Sequence, residues 1–251
     1  MNIAIITGAS SGLGKVYAIE ILKKYKMLDE IWIIARRKDR LVKLKEEYSN
    51  KIRPIPLDLT KPKSYEDLNK LLKKENTNIK ILVTNAGTIK TGDFITSNLE
   101  EQINMVDVNV KSYLGVIRVC LPYMKKNSFI IAISSVSAFA PCAKMAVYTS
   151  TKTFVSFFCR SIREELKPYK INVLTVYPGN MDTEMNNKKT SKKQGGIISL
   201  LPYLNMNKLV KKSLKKAEKG KSFYTPMFFY KCYQVLSKIT PFNLLVSFTK
   251  V

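Results

Sequence analysis

"IAIITGASSGLG", residues 3–14, runs from an apolar stretch straight into a glycine-rich turn. The isoleucine-rich 3–7 segment reads as a strand buried on both faces, and 12–26 has the pattern of a helix. Gly8, Gly12 and Gly14 permit a tight turn, close approach of backbone to a pyrophosphate, and close helix–strand packing. The helix N-terminus then offers amide donors and a positive dipole to phosphates. The spacing, G-x3-G-x-G, is one residue longer between the first two glycines than the usual dinucleotide fingerprint. Ser10, Ser11 and Leu13 lie in the same loop and join the glycines as candidate cofactor contacts.

The alternation continues outward from this unit. Strand-like runs at 30–36, 52–58, 79–87, 128–135 and 171–179 are separated by helical patterns at 38–49, 64–75, 99–124 and 148–167. Such a β-α series predicts an α/β fold: a Rossmann-like, doubly wound parallel sheet with helices on both faces. There is no internal repeat, and the whole chain, 1–251, reads as a single domain. Beyond 180 the pattern gives way to a polar, glycine-ended stretch, read as a substrate lid at about 180–205. A basic helix at 206–219 and an aromatic, basic tail at about 223–251 follow.

Composition narrows the chemistry. The chain has no histidine, which removes Ser-His-Asp and Cys-His mechanisms and every His-containing metal site. Gly8–Gly12 also spells G-x-S-x-G, the nucleophile elbow of α/β-hydrolases, but without a histidine base that reading fails. Cys120, Cys142, Cys159 and Cys232 are widely spaced, which argues against zinc or a disulfide framework and fits a reducing cytoplasm. The first residues show no secretory leader, and no uninterrupted apolar run reaches the ~18 residues that span a bilayer. A cytoplasmic protein is expected. The net charge of +24 invites a nucleic-acid reading, but the lysines are spread along most helices with no recognition motif, so no nucleic-acid partner is expected.

The end of the second strand bears on which dinucleotide binds. An NAD site usually places an acid there for the ribose 2′-hydroxyl, whereas this chain reads Ala35-Arg36-Arg37. Arginine attracts a 2′-phosphate and can hold it bidentately. The reading is therefore NADP(H), with Arg36 as the main contact and Arg37 beside it; the alternative is that both simply begin a solvated helix.

Tyr148 and Lys152, in "AVYTSTKTF" (146–154), are one helical turn apart on one face. With the glycine loop, "TNAG" at 84–87, serines at 134–135 and this Y-x3-K pair in order, the chain resembles the short-chain dehydrogenase/reductase family. The resemblance covers residues 1 to about 183. It implies an oxidoreductase acting on CH–OH groups, with Asn109, Ser135, Tyr148 and Lys152 as the catalytic set. It implies Asp58, with Leu59, at the adenine, and Asn85, Ala86 and Gly87 lining the cofactor. Pro178, Gly179, Met181 and Thr183 fall at the nicotinamide, and Tyr148 and Lys152 at the ribose. Asn109 matches the family's helix asparagine, which holds a water in a proton relay. Ser135, thirteen residues before Tyr148, is preferred to Ser134 and Ser137. Thr84 and Thr151 depart from the family's usual asparagine and serine.

The chemistry is consistent with physical needs. Ketone reduction requires hydride from nicotinamide and a proton at the developing alkoxide. A tyrosine of ordinary pKa, near 10, transfers protons poorly at neutrality. A neighbouring lysine ammonium and the positive charge of the oxidised nicotinamide should both lower it, and Ser135 can donate to the carbonyl oxygen.

Substrate contacts are expected from 136–147, 180–205 and near Asp93, with Phe139, Pro141, Met145 and Met185 suggesting an apolar pocket. Lys188, Lys189, Lys192 and Lys193 could attract an anionic substrate or merely solvate a lid. The expected partner is an apolar carbonyl or alcohol: a steroid or bile acid, or a 3-oxoacyl thioester. A non-catalytic NADP-binding regulator is the alternative. A homodimer or homotetramer through 99–124 and 148–167 is expected, and the tail could pack on the domain, support oligomers or touch a membrane surface.

Overall fold

A computed structural model describes residues 1–184 and 202–248. The strands are β1 (Asn2–Thr7), β2 (Glu30–Ala35), β3 (Ile52–Pro56), β4 (Asn78–Thr84), β5 (Met124–Ile133), β6 (Asn172–Val176) and β7 (Phe223–Tyr224). They form one sheet in the order β3-β2-β1-β4-β5-β6-β7, every neighbouring pair parallel. Ile5 sits opposite Trp32 on one side and Leu82 on the other, so the isoleucine-rich runs occupy the middle of the sheet. Burial on both faces explains why these strands are continuous rather than alternating in hydrophobicity.

Helices cover both faces. On one lie α1 (Gly12–Lys24) and α7 (Met206–Glu218), whose Tyr17, Ile21, Leu209, Val210 and Leu214 pack on the sheet. Between them the Tyr17 hydroxyl meets Ser213 Oγ at 2.6 Å. The other face carries α3 (Pro62–Lys74), α5 (Ser112–Cys120) and α6 (Ala146–Leu166), with Leu68, Leu72, Tyr113, Ile117, Val155 and Cys159 inward. α2 (Lys38–Tyr48) and α4 (Leu99–Val106) complete the wound units. The strand order reverses between β1 and β4, and a crevice opens at the carboxyl ends of these strands, where ligands bind in open α/β sheets.

One expectation needed revision. The helix expected over 99–124 is α4, a π turn (Asp107–Lys111), α5 and a 3-10 turn (Leu121–Tyr123) in succession. Pro122 cannot continue an α-helix, so β5 begins already at Met124. The tail packs on the domain, one of the alternatives its sequence left open. It supplies β7, paired to β6, then α8 (Phe228–Ile239) and α9 (Phe242–Phe248). Among the described residues no helix is long and apolar enough to cross a membrane.

Candidate active site

The glycine loop is fixed by its neighbours. Gly8 takes φ +66°, and a Cβ there would lie 2.8 Å from Ala86 Cα, so only glycine fits. Asn85 ties this loop to β4: its Nδ2 donates to Thr7 O (3.1 Å) and Gly8 O (3.2 Å), and its N–H reaches Thr7 Oγ1 (3.0 Å). Ser11 is the N-cap of α1 but makes no capping bond; its hydroxyl instead accepts from Arg37. The first-turn amides of α1 are thus left for an anion, the arrangement a pyrophosphate requires.

A cavity of about 760 Å³ runs from this loop to the start of α6. Its walls include Ser10, Ser11, Leu13, Arg36, Arg37, Asp58, Leu59, Asn85, Ala86, Gly87, Pro178, Gly179, Met181 and Thr183, together with Gly8 and Gly12. Gly14 does not line it; that glycine packs against Gly8 O and Asn85, setting the closeness of helix and strand. Arg37 is committed, to Ser10 Oγ (2.9 Å), Ser11 Oγ (3.0 Å) and Glu184 (2.9 Å). Arg36 makes no hydrogen bond or ion pair among the described residues and stands on the cavity wall near Asp58. Burial pushes Asp58's carboxyl up, but Thr60's two hydrogen bonds and the charges of Arg36 and Lys61 outweigh it and hold the carboxyl below its ordinary range.

At the other end, Ser135, Tyr148 and Lys152 line the same cavity. Lys152 is 4% exposed; its Nζ donates to Ile133 O (3.1 Å) and lies 5.9 Å from the centre of the Tyr148 ring. Tyr113 donates to the same carbonyl at 2.8 Å. Burial lowers the Lys152 pKa to about 8. Tyr148 opens on the cavity but is otherwise enclosed, and that enclosure raises its pKa, with the Ser135 and Ser137 hydroxyls acting against the rise. Enclosure thus acts against the lowering expected from the lysine ammonium and the oxidised nicotinamide together, and the phenol is protonated at neutral pH.

Asn109 is fully buried within the π turn and does not line the cavity. Its Oδ1 accepts from Thr88 N (2.8 Å), and its Nδ2 donates to Thr88 O (2.9 Å) and Thr151 Oγ1 (3.0 Å). Both amide hydrogens are thereby used, and Oδ1 accepts one bond. Asn109 braces Thr151, which donates to Tyr148 O (2.7 Å). The π turn aims it there, as such turns often do at functional sites.

The substrate end differs from the sequence reading. Met145 lines the cavity, but Phe139 and Pro141 do not. Phe139 instead packs on Tyr177 (4.9 Å) and Tyr233 (5.9 Å), anchoring α8. Asp93 does not line the cavity, and its backbone carbonyl accepts from Thr96 and Ser97, while Ile89 and Lys90 reach the wall. Met185, Lys188, Lys189, Lys192 and Lys193, and most of the expected lid, lie outside the described residues. Sequence reasoning missed Phe229, Tyr230 and Tyr233, which close the cavity from the tail. Tyr230 is fully buried; its hydroxyl accepts from Asn180 N (3.3 Å) and donates to Pro202 O (3.2 Å). Gly179 leaves room for its ring, which any Cβ would overlap. The tyrosine spacing 230/233 at helical period was the available signal.

Comparison with known proteins agrees with this geometry. A profile of the short chain dehydrogenase family matches residues 2–194. An uncharacterized oxidoreductase of Staphylococcus epidermidis is 31% identical over 186 residues, covering 73% of this chain and 80% of that protein. The NADP-dependent 3-hydroxy acid dehydrogenase of Schizosaccharomyces pombe is 31% identical over 189 residues, 72% of each chain. Among solved structures, a short-chain dehydrogenase from Streptomyces avermitilis superposes with a TM-score of 0.79 at 21% identity, over 93% of this chain and 90% of that one. This chain therefore belongs to the short-chain dehydrogenases and is an oxidoreductase of that family, which uses nicotinamide cofactors.

Proposed function

We propose that the protein is an NADPH-dependent carbonyl reductase, or hydroxy dehydrogenase, acting on an apolar ketone or secondary alcohol. One observation carries this reading: a single cavity holds Arg36, with no partner among the described residues, at one end and Ser135, Tyr148 and Lys152 at the other. Arg36 and the α1 amides would hold the 2′-phosphate and pyrophosphate, and Lys152 the ribose. The bound nicotinamide would supply hydride. Ser135 donates a hydrogen bond to the carbonyl oxygen, Tyr148 delivers the proton to the alkoxide, and the Lys152 ammonium offsets the charge left on the phenolate.

Val136, Ala140, Met145, Phe229 and Tyr233 give the substrate end an apolar wall, which favours a steroid-like or acyl ketone. The yeast relative's 3-hydroxy acid activity supports a second reading, a 3-oxo acid or 3-oxoacyl thioester; Lys90 reaches the wall but is ion-paired to Glu101 (2.6 Å), so an anionic substrate would have to compete for it. Self-association through α4, α5 and α6 belongs to the same reading, since Leu99, Ile103, Val106, Leu114 and Phe157 are exposed there.

The test follows NADPH absorbance across steroid ketones, 3-oxoacyl thioesters and 3-oxo acids. Turnover with NADPH well above that with NADH is expected, and Arg36→Ala should raise the KM for NADPH about 10- to 100-fold while sparing NADH. An NADH preference in the unaltered protein would reject the cofactor assignment. Tight NADPH binding with no turnover on any class would favour the regulator instead.

A further inference from the structure

The helix α8 is inside out. Its buried stripe is Tyr230, Gln234 and Ser237, two of them amide or hydroxyl side chains. Thr225 Oγ1 donates to Gln234 Oε1 at 2.8 Å, and Ser237 Oγ to Gln234 O at 3.1 Å. The outer face carries Phe228 (80% exposed), Val235 (62%) and Ile239 (75%), spaced at helical period, with Leu236 beside them. Phe242 and Leu244 extend the apolar surface onto α9. An ordinary surface helix shows the opposite pattern, and a continuous apolar patch of this kind marks a surface that something covers.

Charge says what covers it. From Lys219 to the end the chain has five lysines and no Asp or Glu. Lys231 and Lys238 project together along one flank of the stripe, seven residues apart and both exposed. A second copy seated face to face would set these lysines against their own counterparts, each chain carrying +24, with no carboxylate on the face to answer them. The apolar patch on α4–α6 is different in kind: Glu100, Glu101 and Asp107 lie among its residues beside Lys111, so it has both signs available for self-pairing. A stripe of large apolar side chains edged only by lysines is the chemistry of an interfacial helix on anionic lipid.

We propose that α8, continued by α9, docks the protein on an anionic membrane surface, with Phe228, Val235 and Ile239 inserted below the headgroups and Lys231 and Lys238 among them. The inner side of the same helix bears Tyr230 and Tyr233 on the cavity wall, with Phe229 also there, so docking brings the substrate end of the cavity close to the bilayer. The buried polar stripe has a reason in this arrangement. Gln234 is satisfied by Thr225 of the domain and Ser237 by the helix's own carbonyl at Gln234, which lets both face inward and leaves the apolar side chains outward.

The test is co-sedimentation of the full chain with vesicles of phosphatidylcholine, alone or mixed with phosphatidylserine. Binding is expected only with phosphatidylserine present, weakening as salt rises. Phe228→Ser with Ile239→Ser should abolish it. Lys231→Gln with Lys238→Gln should weaken it about 30-fold, at about one kilocalorie-equivalent per lysine. Thermal melting of each variant reports folding without reference to turnover, and the lysine pair serves if the apolar pair melts early. Absence of binding by the unaltered chain, or binding indifferent to both pairs, overturns the proposal. If sedimentation equilibrium shows that Phe228→Ser with Ile239→Ser splits a dimer, a second copy covers the face instead.

Discussion

Two helices, α6 and α8, reach the same cavity and both turn polar groups inward, yet their bonds lead to different places. On α6, Lys152 bonds the end of β5 through Ile133 O, Ser156 meets the Tyr177 hydroxyl at 2.6 Å, and Thr151 joins Asn109 to the carbonyl of Tyr148. These contacts converge on the sheet's carboxyl edge and hold one phenol there. On α8, Tyr230 bonds the loop after β6 and Pro202, and Gln234 bonds Thr225 beside β7. Those contacts fasten connecting segments. Buried polarity on a helix is therefore no sign of catalysis by itself; the destination of the bonds separates a reacting group from a fastening.

The sharpest way to break the contrast is Tyr148→Phe. If α6 carries the chemistry, kcat falls about 10³-fold or more while NADPH affinity, read by fluorescence titration, is unchanged. Retention of a tenth of the activity would remove α6 from the mechanism.

Lys152→Met should cost roughly 10²-fold in kcat but stabilise the fold. Folding takes the lysine from its ordinary pKa of 10.5 to about 8. At pH 7 the group is charged in both states, so burying it costs about 3 kcal/mol, which a methionine avoids. Ile133 O keeps its bond from Tyr113, so no acceptor is orphaned. Between pH 8 and 10.5 the unfolded chain binds more protons than the folded one, so the unaltered protein gains stability as pH rises and the Met variant does not. Calorimetry at pH 7 should show the variant melting several degrees higher; a lower melting point would mean that the ammonium stabilises the fold. In the unaltered enzyme the same titration makes the reduction rate decline as pH rises through about 8, because the lysine loses the charge that offsets the phenolate. A rate flat from pH 7 to 9 would assign that compensation elsewhere.

The contrast between α6 and α8 also marks what the sequence could reveal. The isoleucine runs of β1, β2, β4 and β5 declare themselves because both faces of each are buried, and Gly8 and Tyr148–Lys152 sit at fixed offsets from strand ends. The rise of Tyr148's pKa was not legible, because it depends on how far the rest of the fold encloses the phenol. β7 is two residues long and has no period of its own. α8 misleads outright: its phenylalanines and isoleucine suggest a core face, and only the paired Thr225 and Gln234 show which side is inward. The break of 99–124 turned on Pro122 and on a π turn, whose extra residue leaves no mark in composition.

Smaller effects test α8. Tyr230→Phe removes the hydroxyl shared by Asn180 and Pro202 while keeping the ring in the space Gly179 leaves. The wall it steadies contacts substrate rather than the reacting atoms, so KM should rise about 3- to 10-fold with kcat nearly constant, and stability should fall by about 1 kcal/mol. A collapse of kcat with unchanged KM would promote Tyr230 into the chemistry and erase the distinction drawn between the two helices.

Gln234→Leu should leave turnover on a water-soluble substrate essentially unchanged and still lower stability, because Thr225 Oγ1, 2% exposed at residue level, loses its acceptor. An unsatisfied buried hydroxyl costs about 1–3 kcal/mol. Thr225→Val alone strands the glutamine oxygen by the same logic. The two substitutions together remove both polar partners and leave apolar groups of similar shape, so the double variant should recover most of the loss. Denaturant unfolding of the four proteins gives the coupling directly. Additive losses would mean that Thr225 and Gln234 act independently, and the buried stripe of α8 would then need another explanation for facing inward.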